Sequence, residues 1–283
     1  MVEVMPMSVA PDFYQRYDAV LGKWPVAHEG TDLPGPFGVT RVNICGGDGS
    51  PVVLLPGGRS TSVCWYANVG ALAAVHRVCA VDIMGDAGRS VPAGAPIRSR
   101  DDLIRWLDGV LDQLGVDITA LGGHSYGAWI AACYAIARPE RVSRLVLVEP
   151  TDTLSATRLS FRLHGIPLFL GRRRDRFRRF YLWETGGRRY DPDFLDLWAG
   201  PFGGAGRPVW PKKPGPAELA RLTMPVLVFA AERSRQNDAA ALVANANRLP
   251  NSKVVLVPDA THFTVPQGRA EVINPVLADF LSC

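Results

Sequence analysis

The chain has 283 residues, 47% of them hydrophobic and 20% charged, with a formal net charge of +4. That length suits one α/β domain with room for an inserted segment. No apolar run approaches the ~20 residues of a membrane span, and Met1 to Asp12 has neither the basic start nor the apolar core of a secretory signal. The five cysteines (Cys45, Cys64, Cys79, Cys133, Cys283) lack metal-type spacing and read as free thiols in a reducing cytoplasm. The charge is unevenly placed. Asp152 to Pro216 carries 13 Arg and Lys against 6 Asp and Glu, a net of +7, which leaves 18 against 21 elsewhere.

In chain order, Phe13, Tyr17, Val20 and Leu21 fall near helical spacing and predict a short amphipathic helix over Asp12 to Trp24. Gly38 to Cys45 alternates as a strand. The apolar run Val52 to Leu55 predicts a buried parallel strand, followed by Pro56-Gly57-Gly58-Arg59-Ser60. Arg77 to Asp82 is a further strand, ending in the glycine-bearing stretch Asp82 to Ser90. Asp101 to Leu114 is helical in pattern, with Ser99 or Asp101 as its cap and Gly115 closing it.

Ile118 to Trp129 reads as a short apolar strand, the turn Gly123-His124-Ser125-Tyr126-Gly127, and a helix rich in alanine that Pro139 ends. Gly-x-Ser-x-Gly between strand and helix is the signature of a nucleophile elbow, in which a sharp turn lifts the serine hydroxyl clear of the backbone. Cys133 is expected to pack in the helix that follows. Arg144 to Val148 is a strand ending in Glu149-Pro150. From Thr151 to Pro216 the periodicity is irregular. Alternation resumes with a strand at Val226 to Ala230, a helix at Asp238 to Leu249, a strand at Val254 to Val257 and a helix at Ala270 to Leu281. This alternation predicts a mostly parallel sheet with helices on both faces.

Four motifs in this order resemble the α/β-hydrolase fold family over essentially the whole chain. Leu54 to Gly58 resembles its oxyanion loop, with Pro56 where many members carry His. Asp82 to Ser90 resembles the segment after the fourth strand, with one residue more between the glycines. Gly123 to Gly127 is the elbow, and Asp259-Ala260-Thr261-His262-Phe263 resembles the loop that bears the catalytic histidine. The resemblance implies a core of 1–150 and 217–283, with a helical cap inserted after the sixth strand over 151–216.

It also implies roles. Ser125 is the expected nucleophile, which needs a base within hydrogen-bond reach; His262 is that base. The backbone N–H groups of Gly58 and Tyr126 are the expected oxyanion donors. The other histidines (His28, His76, His124, His164) lack such a context, although His124 sits inside the elbow.

The orienting acid is open. Most members place it just after the seventh strand, where this chain reads Ala231-Glu232-Arg233-Ser234, with Ser234 in the acidic position. Glu149, at the end of the sixth strand, occupies the place used by a subset that includes many haloalkane dehalogenases. Asp238 is the alternative, able to swing back or to cap its helix, and Glu232 is a third choice. Dehalogenation itself is disfavoured, because that chemistry uses an aspartate at the elbow.

Within the insertion, the run Arg172 to Tyr181 reads either as a cationic surface for an anionic substrate or acidic carrier protein, or as a solvated helix face whose arginine stems cover apolar residues. No nucleic-acid module accompanies it. Phe161, Leu163, Ile166, Leu168, Phe169, Leu170, Trp183 and Trp198 are available to roof an acyl pocket. The implied activity is hydrolysis of a carboxylic ester, thioester or lactone through an acyl-serine, on a small-molecule substrate and without a cofactor. The alternatives are acyl transfer or cyclisation at the same site, and a ligand-binding or carrier-docking protein of the same fold.

Overall fold

Nine strands form one mixed sheet in the computed structural model, which describes residues 11–169, 174–188, 191–200 and 209–282. The eight longer strands are β1 (His28–Gly35), β2 (Gly38–Cys45), β3 (Pro51–Leu55), β4 (Arg77–Val81), β5 (Thr119–His124), β6 (Val142–Val148), β7 (Val226–Ala231) and β8 (Ser252–Val257). They lie in the order β1-β2-β4-β3-β5-β6-β7-β8, and the two-residue strand Val91–Pro92 pairs with β2. The β1–β2 and β2–β4 pairs are antiparallel, and every pair from β4 to β8 is parallel.

The helices are α1 (Pro11–Leu21), α2 (Val69–Ala73), α3 (Arg100–Gln113), α4 (Tyr126–Ala137), α5 (Leu159–Phe169), α6 (Arg174–Glu184), α7 (Pro192–Trp198), α8 (Pro216–Leu219), α9 (Ala239–Ala246), α10 (Val265–Gly268) and α11 (Ala270–Ser282). Ser99, not Asp101, caps α3. Its hydroxyl accepts from the Asp102 N–H while the Asp102 carboxylate accepts from the Ser99 N–H, so two orphan donors are satisfied reciprocally.

The long runs of apolar strand residues follow from burial on both faces. β5 and β7 are buried at every position, as parallel strands covered on both sides must be. One apolar cluster lies around Trp106, Trp129, Tyr134 and Leu121, and a second around Trp65, Tyr17, Phe229 and Leu54. Cys133 packs in the first of these. β1 went unanticipated because His28 to Gly35 is polar and mostly exposed, the composition of an edge strand with no apolar face to betray it.

Helices α5, α6 and α7 lie in the insertion between β6 and β7 and make a third cluster of Phe177, Phe180, Tyr181, Leu195 and Trp198. Phe161, Leu168 and Trp183 pack against it. Leu163 and Ile166, expected to roof a pocket, are half exposed on α5. The Phe169 side chain, Leu170, Arg172 and Arg173 lie outside the described residues. Of the remaining arginines in that run, Arg174 and Arg178 both pair with Asp196 on α7, and Arg176 donates to the Pro167 carbonyl. Those three are spent within the insertion itself. Among the described residues, no helix is long and apolar enough to cross a membrane.

Candidate active site

The parallel register brings the carboxyl ends of β3, β5, β6 and β7 side by side. Leu55 sits opposite Gly123, and His124 opposite Val148. Each strand then hands one group to the same rim: Gly57-Gly58 after β3, Ser125 after β5, Glu149 after β6 and the Ser234 loop after β7.

Ser125 has φ 55° and ψ −113°, outside the usual regions for a residue with a side chain. The surroundings hold it there. Its N–H donates to the Val148 carbonyl at 2.9 Å, and its own carbonyl receives the N–H of Trp129 at 3.1 Å. Gly127 makes the turn sterically feasible, because a Cβ there would lie 2.3 Å from the Pro56 carbonyl oxygen and 2.5 Å from that of Leu55.

The Ser125 hydroxyl reaches His262 Nε2 at 2.9 Å, and His262 Nδ1 lies 3.1 Å from Glu149 Oε2. His262 and Glu149 are fully buried. A carboxylate at Nδ1 selects the tautomer with the proton on Nδ1 and leaves Nε2 as acceptor for the serine hydroxyl. Glu149 also accepts from the Ala231 N–H at 2.8 Å, the Ser234 hydroxyl at 2.7 Å and the Asn237 amide at 2.9 Å. Burial pushes its carboxyl up, but the bonds from His262, Ala231 and Ser234 outweigh burial and hold it below the ordinary glutamate value of 4.5.

The other two acids are engaged elsewhere. Asp238 caps α9, accepting from the Ala241 N–H, and is half exposed beside Arg158 at 3.0 Å. Glu232 accepts from the Asp259 N–H at 2.9 Å on the surface. Neither is among the groups bonded to His262. Ser234, which stands where most members carry the acid, serves as a donor to Glu149.

Sequence reasoning missed two further partners. The Gln236 amide donates to Thr151 Oγ1 at 2.7 Å, and Thr151 Oγ1 lies 3.0 Å from Ser125 Oγ. If Ser125 gives its proton to His262 Nε2, its oxygen is free to accept the Thr151 proton while Thr151 accepts from Gln236. Thr151 lies two residues past Glu149, but nothing in the sequence ties Gln236 to it. His124 is buried, and burial first and then the neighbouring His262 push it down to about 3. Its neutral ring donates from Nε2 to the His262 carbonyl at 2.8 Å.

Gly58 lies beside Tyr126, a Cβ built on it falling 3.5 Å from Tyr126 Cβ. Tyr126 opens α4, so its N–H has no carbonyl one turn back to bond. The loop carrying Gly58 is fixed from the segment after β4. Asp86 accepts the Arg59 N–H at 3.1 and 3.0 Å, and Asp82 accepts those of Ser62 and Arg89 at 2.7 Å each. A cavity of about 350 Å³, including its open mouth, lies above Ser125. Gly57, Gly58, Ser60, His124 and Ser125 form its floor; Tyr181, Phe194 and Trp198 of the insertion and Phe263 and Gln267 line the rest. Of the residues expected to roof it, Trp198 does so, while Tyr181 and Phe194 were not foreseen. Among the described residues, no group of three His, Cys, Asp or Glu side chains is placed to hold a metal ion.

Residues 52–275 match the model of the alpha/beta hydrolase family. The chain belongs to that family. Carboxylesterase YbfK of Bacillus subtilis (strain 168) is 36% identical over 141 residues, 50% of this chain and 47% of the relative. The chain therefore matches about half the length of that curated relative. Solved structures are similar over far more of the chain. The naproxen esterase (carboxylesterase NP) of Bacillus subtilis superposes with a TM-score of 0.86 at 25% identity, covering 96% of this chain and 99% of its own. Carboxylesterase CesB (YbfK) from the same organism also reaches 0.86, at 27% identity, with 95% and 96% covered. The mostly parallel sheet with its helices is thus that of an α/β-hydrolase fold.

Proposed function

We propose that this α/β-hydrolase is a serine carboxylic ester hydrolase, with Ser125 as nucleophile, His262 as general base and acid, and Glu149 as the orienting acid. The observation that carries the reading is the unbroken chain from Ser125 Oγ through His262 to Glu149, at 2.9 and 3.1 Å, with the serine in a strained turn facing a cavity. The similarity to carboxylesterases supports it.

Attack of Ser125 on the carbonyl sends its proton to Nε2, and the resulting imidazolium is stabilised by Glu149. The carbonyl oxygen, now negative, is received by the N–H groups of Gly58 and Tyr126, each typically worth about 3 kcal/mol of barrier. His262 then returns the proton to the leaving alcohol, and water repeats the sequence on the acyl-serine. Residues 151–216 act as a cap, and the aromatic rings of Tyr181, Phe194 and Trp198 favour an apolar acyl or alcohol group. Four buried free thiols among the described residues (Cys45, Cys64, Cys79, Cys133) support a reducing compartment, the cytoplasm. The binding-protein alternative drew its support from the missing acid at Ser234, and the Glu149 carboxylate 3.1 Å from His262 Nδ1 argues against it.

Pre-steady-state hydrolysis of p-nitrophenyl acetate and butyrate tests the assignment, with Ser125→Ala as control. A burst of nitrophenolate followed by steady turnover, absent in the variant, is expected. Equal rates for the two proteins would overturn it.

A further inference from the structure

Glu184 ends α6, the second helix of the insertion, and is fully buried. Its carboxylate does not meet an arginine or lysine in any ion pair among the described residues. It grips three consecutive residues of the histidine loop instead. Oε1 accepts the His262 N–H at 2.9 Å, while Oε2 accepts the Thr261 hydroxyl at 2.7 Å and the Phe263 N–H at 3.2 Å. Bonds of this kind compensate a buried carboxylate and are about twice as strong as neutral ones.

The same loop is clasped a second time. The Phe263 ring stacks on Tyr181 of α6 at 5.7 Å and meets Trp198 of α7 at 5.0 Å. On the opposite side, the His262 carbonyl accepts from His124. The peptide that carries the imidazole is therefore pinned at its N–H by the insertion and at its C=O by the elbow.

We propose that Glu184 is a positioning residue for His262. Its carboxylate ties the inserted helices to the histidine loop, so that the insertion sets the placement of the imidazole as well as covering the substrate. This rests on the serine-hydrolase reading. The groups facing His262 are Glu149 from β6, Ser125 and His124 from the elbow, and Glu184 from α6. Glu149 meets the imidazole directly, and Glu184 acts on it through the backbone it holds. Burial lifts the Glu184 carboxyl above the ordinary glutamate value, and the charge of His262 acts against that rise.

The Glu184→Gln variant tests the proposal by two readouts. In turnover of p-nitrophenyl butyrate, kcat should fall about tenfold or more with KM within twofold, because the rings that hold substrate are untouched while the base is displaced. In NMR of the ¹⁵N-labelled His262 imidazole at a single pH, which needs no substrate, the Nδ1 and Nε2 resonances should move from their parent positions, because the ring is displaced against Glu149 and Ser125. Glu184→Asp keeps a carboxyl but shortens its reach, and should move the same resonances while lowering kcat. Unchanged kcat and unchanged imidazole resonances in Glu184→Gln would overturn the proposal, even with a lower Tm. If Glu184→Gln does not fold, Thr261→Val removes one of the three donors. It should lower kcat in the same direction, and a parent-like kcat there would overturn the proposal. A parent protein that turns over no ester, yet whose imidazole shifts in Glu184→Gln, would sink the hydrolase reading alone.

Discussion

Replacing Glu149 by glutamine tests the orienting acid with the smallest change in shape. The amide has one oxygen and one NH₂ to place among four donors. Turning the NH₂ toward His262 would set it against the imidazole N–H, the Ser234 hydroxyl and the Asn237 amide, three groups that now donate to Oε2. Turning it toward Ala231 opposes a single backbone N–H. The second orientation wins, so Glu149→Gln keeps the Nδ1–H tautomer and the geometry. It loses a negative charge and gains one unsatisfied buried donor pair, worth about 1–3 kcal/mol of stability.

What remains is the charge term. Glu149 and His262 are both fully buried, so solvent does not screen them. Unit charges centred ~4 Å apart attract by about 4 kcal/mol at an effective dielectric of about 20. That attraction exists only once the imidazolium has formed, so it lowers the barrier and not the energy of the bound substrate. About 4 kcal/mol corresponds to roughly a thousandfold in kcat. The assay is steady-state hydrolysis of p-nitrophenyl butyrate at neutral pH, with circular dichroism to establish that the variant is folded. Asp238→Asn serves as contrast, since asparagine caps a helix as well as aspartate, and should stay within twofold of the parent. A folded Glu149→Gln variant within tenfold of the parent would refute the reasoning, as would a large loss from Asp238→Asn.

The depressed Glu149 carboxyl carries a pH prediction: its contribution to stability is complete above the unfolded value of about 4.5 and is lost as pH falls through the lower native value. The Tm advantage of the parent over Glu149→Gln should therefore narrow below about pH 4.5, and a gap that widens there would contradict it. Thr151→Val removes the hydroxyl that meets Ser125 and should cost about fivefold in kcat, the worth of one neutral hydrogen bond of about 1 kcal/mol; a parent-like kcat would show that Thr151 does not orient the serine. Gly127→Ala drives a Cβ into two backbone carbonyls and should cost about 3 kcal/mol or more of stability, whereas Gly58→Ala meets nothing closer than 3.5 Å and should leave Tm near the parent's. Thermal melts of the pair check this, and equal Tm values would show that the elbow relaxes where the packing says it does not.

Much of the frame was legible because its residues advertise it twice. Gly123 to Gly127 is a motif and also sits between an apolar run and an alanine-rich helix, and continuous apolar runs place the strand ends at Val148 and at Ala230, one residue short of the observed Ala231. Ser125 and His262 could be named from the resemblance of their loops to the family's, whereas the acid stayed open among Glu149, Asp238 and Glu232. The insertion was not legible for a physical reason. α5 carries Pro167 and has its apolar residues spread around the helix, with Leu159, Leu163 and Ile166 turned outward. α6 buries Phe177, Phe180 and Tyr181 at helical spacing, but it is rich in arginine and carries Leu182 and Trp183 beside that face, which blurs the contrast that periodicity detects. Thr151, Gln236 and Glu184 were missed because each acts through a partner distant in sequence. The separation of 78 positions between Glu184 and His262 is closed only by the fold.

Placing the proposed orienting acid at the end of β6 and not of β7 has a structural logic that depends on parallel neighbours. Val148 pairs with Phe229, so the two strand ends emerge side by side and a carboxylate from either reaches the same imidazole. Moving the acid to β6 leaves it facing the loop it vacated, and a buried carboxylate there needs donors. The loop after β7 supplies them through the Ala231 N–H, the Ser234 hydroxyl and the Asn237 amide, and Asn237 is itself held by Ser155 and Ser234. An aspartate restored at position 234 would therefore not add a second orienting acid. It would set two carboxylates against each other in one buried seat and force one of them to take up a proton. Ser234→Asp should accordingly lower both Tm and kcat, and it should lower them less when combined with Glu149→Ser, which returns one carboxylate and one hydroxyl to the pair. Additive losses in that double variant would mean that the two strand ends do not share a single seat for the acid.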